Sequence, residues 1–284
     1  MKIFVYGDDA RMTECKRLLY EAEKNGWLPD DVGDIHLLPI PSRTVTAEML
    51  KSGILPDCLN RGENHQDETK RETGEKEGAT PTLAEKSNFI VGYEVPPFLQ
   101  DIPDVRVLDL SHHEAFLKRN ARLCALGTLG VLLTEQTRVP SDLRVGVIGY
   151  GRIGREMCDV LSYLETPLVV FTSNCEAMRE LNEKKISAVL VDWKKKSSCN
   201  VNESLQKQGI YAPLDVLINT SPSPLGEAFF TGYDGVIYDL ASGAPIPQNV
   251  PHKRLSSLPM RMYQASAGAS VYRAVMSYIS NRMD

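Results

Sequence analysis

The chain has 284 residues, enough for about two domains. Apolar residues make up 42% and charged residues 24%, an ordinary balance for a fold that builds its core without disulfide or metal staples. A net charge of −5 gives no basis for binding nucleic acid or an anionic membrane surface, and no apolar run approaches the ~20 residues of a membrane span.

Lys2–Tyr6 reads as a first strand without a cleavable leader, so a cytoplasmic location is expected. Asp9–Asn25 is helical, with Met12, Cys15, Leu18, Leu19 and Ala22 on one face and Asp8 or Asp9 placed to cap it. Ile35–Pro39 is a second strand and Thr46–Ser52 a short helix. From Arg61 to Lys86 the chain is crowded with charge, holds three glycines and lacks large apolar residues before Leu83. Such a stretch cannot offset its ordering entropy by burial, and it reads as a mobile surface insertion. Asn88–Gly92 and Val105–Asp109 are further strands.

His112–Glu135 is a long helix leaving the first domain. Its second half, Leu123–Leu133, is apolar all round and reads as buried between domains. After Pro140 come strand 144–149, helix 152–164, strand 167–171, helix 175–184, strand 186–191, helix 201–208, and strands 214–219, 235–240 and 253–257. Ser266–Arg282 is the last helix. The alternation predicts an α/β protein of two doubly wound parallel-sheet, Rossmann-like domains joined by a long interdomain helix. The expected division is a flavodoxin-like substrate-side domain at 1–111, the helix and linker at 112–139, a dinucleotide-binding domain at 140–262, and a C-terminal helix at 263–284. That last helix is expected to pack back on the first domain or on the interdomain helix. Cys15, Cys58, Cys124, Cys158, Cys175 and Cys199 show no CxxC spacing and read as reduced thiols, with no metal site.

The most specific motif is Val147-Ile-Gly-Tyr-Gly-Arg-Ile-Gly154. A strand runs into glycines at 149, 151 and 154 and then into an amphipathic helix, with a second strand following at the right distance. Gly149 allows the sharp exit, Gly151 lets backbone approach a pyrophosphate, and Gly154 lets the helix pack on the sheet. Arg152 and Ile153 belong to the same turn.

An NAD-selective site places a carboxylate at the end of the second strand. Here Thr172-Ser173-Asn174 stands there instead, with Arg152 and Arg179 nearby. That favours NADP over NAD as cofactor, although a plain helix cap explains the same residues. Asn219, Thr220 and Ser221 end another strand of the domain, and Asp239, Leu240, Ala241 and Ser242 end the next. Both sets are expected to line the cofactor, with Asp239 and Ser242 near the nicotinamide.

Motifs spread along the chain resemble the A subunit of bacterial dipicolinate synthase, within the wider group of two-domain dehydrogenases. Tyr6-Gly-Asp-Asp-Ala-Arg11 is similar to that family's Gly-Gly-Asp-Ala-Arg, and Leu38-Pro-Ile-Pro-Ser-Arg43 to its Leu-Pro-x-Pro-x-Ser. Asn120 with Gly127-Thr128 resembles its Asn…Glu-Gly-Thr, Asp239-Leu-Ala-Ser242 its Asp-Leu-Ala-Ser, and Leu258-Pro259 with Ala267-Gly268 its tail. The departures fall on charged groups. Leu126 stands where the family has Glu, Gly243-Ala-Pro-Ile246 where it has Arg-Pro-Gly-Gly, and Ala265-Ser266 where it has Lys-Thr.

The resemblance implies oxidation of a dihydrodipicolinate-type cyclic dicarboxylate by hydride transfer to NAD(P). It also implies a second synthase subunit as partner, and by analogy with this architecture further copies of the chain in a homo-oligomer are expected. On this chain, Arg11 and Arg43 are the expected carboxylate binders, with Ser42, Asn120 and Thr128 as supporting donors. A 2-hydroxyacid dehydrogenase is disfavoured, because Ser221–Pro224 offers no Arg and Ala265–Ala269 no His. Two alternatives stay open: a dehydrogenase of another small carboxylate, and a cofactor-binding sensor or subunit without catalysis.

Overall fold

The structure is a computed structural model and describes residues 1–46, 87–100, 102, 105–193, 200–210, 212–243 and 245–281. The expected helix at Thr46–Ser52 falls almost wholly outside these residues. The insertion at 61–86, Cys58 and Cys199 lie outside them too. The chain divides into two compact units, Met1–Leu117 with Gln264–Asp284, and Lys118–Tyr263.

In the first unit, strands β1 (Ile3–Val5), β2 (Val32–Leu37), β3 (Ser87–Gly92) and β4 (Val105–Asp109) form a parallel sheet in the order β1-β2-β3-β4. Side chains alternate across it. Ile3, Ile35, Leu37, Phe89, Val91 and Leu108 join one buried cluster, whereas Leu38 and Ile90 join another with Val95 and Leu99. Both faces are therefore covered, as parallel sheets require. Helix α1 (Ala10–Lys24) buries Met12, Cys15, Leu19 and Ala22, and Asp9 is its N-cap. Strand β2 starts earlier and stops sooner than the expected Ile35–Pro39, since Pro39 has no N–H for the ladder.

Helix α2 (Glu114–Glu135) follows a 3₁₀ turn at Leu110–His112 and carries the chain from the first unit into the second. Its apolar second half is not enclosed all round. Ala125 and Leu132 are buried, but Leu133 in the last turn is 55% exposed.

The second unit contains β5 (Val145–Ile148), α3 (Arg152–Tyr163), β6 (Leu168–Thr172), α4 (Cys175–Glu183), β7 (Ser187–Leu190), α5 (Val201–Gln206), β8 (Val216–Asn219), β9 (Val236–Asp239), β10 (Lys253–Arg254) and α6 (Leu258–Met262). Its six strands are parallel in the order β10-β9-β8-β5-β6-β7. Both units are thus parallel-sheet α/β folds. They differ in winding. The strand order reverses at β5 in the second unit, and it runs sequentially through the described strands of the first.

One further local expectation is corrected. The strand expected at 253–257 has only two residues, because Ser257 takes a left-handed φ of 53° and turns the chain into α6. Pro259 sits in the first turn of that helix, where its missing N–H is harmless. The last helix, α7 (Gln264–Ser280), lies along α1 in the first unit. At Gly268 a Cβ would stand 2.5 Å from the Glu14 Cβ, so only glycine permits this approach. Among the described residues, no helix is long and apolar enough to cross a membrane and no cluster of His, Cys, Asp and Glu could hold a metal.

Candidate functional site

In the second unit β5 lies between β6 and β8, so the connections leaving β5 and β8 diverge and open a crevice at the carboxyl edge. The glycine turn fills this point, and its three glycines meet different demands. Gly149 has a φ of +91°, and a Cβ there would crowd Thr220 Oγ1 and Ser221. At Gly154 a Cβ would come within 2.3 Å of the Gly149 carbonyl oxygen, so α3 packs against its own turn only because this residue has no side chain. Gly151 differs from both. It is the N-cap of α3, with ordinary extended φ of −81°, makes no side-chain cap, and a Cβ there would meet nothing within 4 Å. The first-turn amides of α3 are left without a capping side chain, beside open space.

Thr220 braces the turn from β8, its Oγ1 donating to the Ile148 carbonyl at 2.9 Å and lying 3.3 Å from that of Gly149. Behind it, buried Asn219 donates to Asp239 Oδ1 at 2.8 Å and to the Ser221 carbonyl at 3.2 Å, and accepts from Ser221 N. Asp239 Oδ1 also accepts from Ala241 N, while its Oδ2 is enclosed without a partner among the described residues. Asp239 therefore shapes the loop that continues through half-buried Leu240 and buried Ala241 to exposed Ser242.

At the end of β6 the three expected residues separate. Thr172 is buried and its Oγ1 accepts from Asn174 N; Asn174 caps α4, accepting from Glu176 N and Ala177 N. Ser173 is left exposed between them. Arg152 and Arg179 are exposed on α3 and α4, and Ile153 is half-buried.

One group escaped the sequence reading. Tyr150, between Gly149 and Gly151, donates to Glu180 Oε1 at 3.0 Å, and the Arg155 guanidinium lies 4.4 Å from its ring centroid. Arg155 pairs with the other oxygen of Glu180, and Lys184 reaches Glu180 at 3.5 Å and Asp159 at 3.2 Å. The hydrogen bond from Arg155 and that from Tyr150 hold the Glu180 carboxyl below the usual carboxylate range despite partial burial. The available signal was an aromatic residue inside a glycine turn, together with the four-residue Glu180–Lys184 spacing.

The residues expected to bind substrate are mostly occupied inside their own unit. Arg11 is 7% exposed. Its Nε and Nη2 bond both oxygens of Asp9, at 2.9 and 2.7 Å, and Nη2 also reaches the Ile40 carbonyl. Burial alone would raise the Asp9 carboxyl, but the Arg11 guanidinium outweighs it and holds the group low. Ser42 is fully buried, donating to the Pro39 carbonyl and accepting from Tyr93 N. Thr128 donates to the Cys124 carbonyl within α2. Arg43 is exposed and pairs with Glu94 at 3.4 Å, and Asn120 is half-buried on α2. A cavity of about 650 Å³ does open in the second unit, but at the amino ends of its strands, beside Pro167, Ile186 and Leu214. That is the edge opposite the glycine turn.

No family model matches the chain, and no curated protein sequence matches it. Its fold is that of solved dipicolinate synthase structures. The A polypeptide of the synthase from Bacillus subtilis superposes with a TM-score of 0.65 at 16% identity, over 100% of this chain and 97% of that one. The corresponding polypeptide from Bacillus halodurans superposes with a TM-score of 0.67 at 14% identity, over 99% and 98%.

Proposed function

We propose that the second unit binds a nicotinamide dinucleotide, NADP(H) in preference to NAD(H), and that the protein is an oxidoreductase acting on a dihydrodipicolinate-type cyclic dicarboxylate. The observation that carries the reading is the open position at Gly151, at the point where strand order reverses. The residues fit the cofactor. A glycine N-cap leaves the amides of α3 for a pyrophosphate, and the place a Cβ would fill is empty. A bound nicotinamide supplies a hydride acceptor.

The chain's own residues then bind and orient. Ser173, with no carboxylate before Glu176 in this segment, takes the 2′-phosphate, and Arg152 and Arg179 add positive charge. Asn219 and Asp239 hold the loops at the ends of β8 and β9. Within the first unit, Arg43 is assigned to a substrate carboxylate, and Arg11 and Ser42 fix the loop that carries it. Because aromatisation of the ring drives the reaction, no strong base is required of the chain. The likeness to one component of a synthase extends the proposal to a second, different component or a further copy of this chain as partner.

A second reading, a dinucleotide sensor without catalysis, is favoured by the internal engagement of Arg11, Ser42 and Thr128. Calorimetric titration with NADP⁺ and NAD⁺, with and without dipicolinate, separates the two. Tighter NADP⁺ binding in the presence of dipicolinate supports the enzyme; binding indifferent to dipicolinate supports the sensor. Gly151→Val should abolish binding in a folded protein, and Ser173→Asp should shift preference toward NAD(H). Unchanged affinity in Gly151→Val would remove the dinucleotide reading altogether.

A further inference from the structure

Glycine gives the turn its shape but no means of keeping it, since residues without side chains cannot anchor themselves. Between Gly149 and Gly151, only Tyr150 has a side chain. It is directed away from the crevice and into the wedge between α3 and α4, where it is 7% exposed beneath Arg155 and bonded to Glu180. Glu180 stands on the helix whose N-cap, Asn174, ends the loop containing Ser173. Its second oxygen holds Arg155 on α3. A single carboxylate thus joins the glycine turn, the helix that begins at that turn and the helix that begins at the ribose loop.

We infer that Tyr150, acting through Glu180, is a positioning residue that sets the pyrophosphate turn against the ribose loop and so determines affinity for the pyrophosphate portion of the dinucleotide. The inference rests on the dinucleotide reading above. It differs from a role in stability alone, which would lower the melting temperature and weaken all nucleotide ligands together. A positioning role affects only ligands that occupy both halves of the site.

The test uses the full chain and Tyr150→Phe, Glu180→Gln and Glu180→Ala. Two ligands are titrated: the better bound of NADPH and NADH, and its fragment without the pyrophosphate, 2′-AMP or adenosine. Melting temperatures are recorded alongside. Tyr150→Phe should weaken the dinucleotide about tenfold and leave the fragment within about twofold of wild type. Glu180→Gln keeps an acceptor oxygen for Tyr150 but not the one that holds Arg155 and should fall between wild type and Glu180→Ala, which loses both and should weaken the dinucleotide at least as much as Tyr150→Phe. Wild-type affinity in Tyr150→Phe overturns the inference, and so does parallel weakening of both ligands with a lowered melting temperature. If the wild-type protein binds neither dinucleotide, the dinucleotide reading itself fails, and the inference fails with it.

Discussion

Each unit opens with the same local device, and the two copies are finished differently. In the first, β1 leads through Gly7, at a φ of +76°, to α1; in the second, β5 leads through Gly149, at +91°, to α3. The cap of α1 is Asp9, whose carboxylate already sits at the helix N-terminus and accepts from Arg11 N at 3.0 Å. The cap of α3 is Gly151, which places nothing there. A helix N-terminus attracts anions, but a built-in carboxylate satisfies that attraction internally. On the dinucleotide reading proposed above, the cap residue is what separates a strand–turn–helix unit that binds a phosphate from one that only holds itself together.

The largest test of this contrast is Asp9→Ala. It leaves the Arg11 guanidinium buried without its counter-charge and should cost the first unit about 4 kcal/mol in denaturant unfolding. A loss near that of an exposed ion pair would mean the clasp is not what closes this turn. Next is Gly154→Ala in the second unit. The added methyl collides with backbone, not with a movable side chain, and about 3 kcal/mol of destabilisation is expected in the same assay.

The third test is pH. His36 is 4% exposed, stacked on Phe4, with Tyr6 Oη 2.7 Å from its Nδ1. Burial lowers its pKa to about 4, against a smaller opposing influence of Asp34. Between pH 6.5 and that value the unfolded chain binds the proton that the folded chain refuses. Stability is therefore fully present above pH 6.5 and falls as pH drops toward 4, by about 2 kcal/mol at pH 5. Melting of wild type and His36→Phe across this range should show the slope in the former and a flatter response in the latter. Equal slopes would assign the acid sensitivity to other groups.

The smallest effect on stability is expected from Gly151→Asp, which gives α3 the cap that α1 has. It should leave stability unchanged or raised by about 0.5 kcal/mol while removing nucleotide binding. Retained binding would show that the cap is not the deciding difference.

Much of this protein is legible in single segments. The glycines at 149 and 154, the alternation of strand and helix, and the Asp9 cap are demands that backbone places on the residues occupying it, so they show in local sequence. The fates of Arg11 and Ser42 are not legible in this way. Each resembles a ligand-binding residue until nearby Asp9 and Pro39 and, from further along the chain, Ile40 and Tyr93 complete its hydrogen bonds. Tyr150 escaped notice for the same reason, its partner Glu180 lying 30 residues away on another helix. The two parallel α/β units and the position of the glycine turn could be read from sequence alone, because periodicity and glycine requirements are local. The reversal of strand order in one sheet and not in the described strands of the other, and the internal closing-off of particular polar groups, emerge from the folded structure. Those outcomes depend on which distant segments pack together, and local sequence pattern does not specify that.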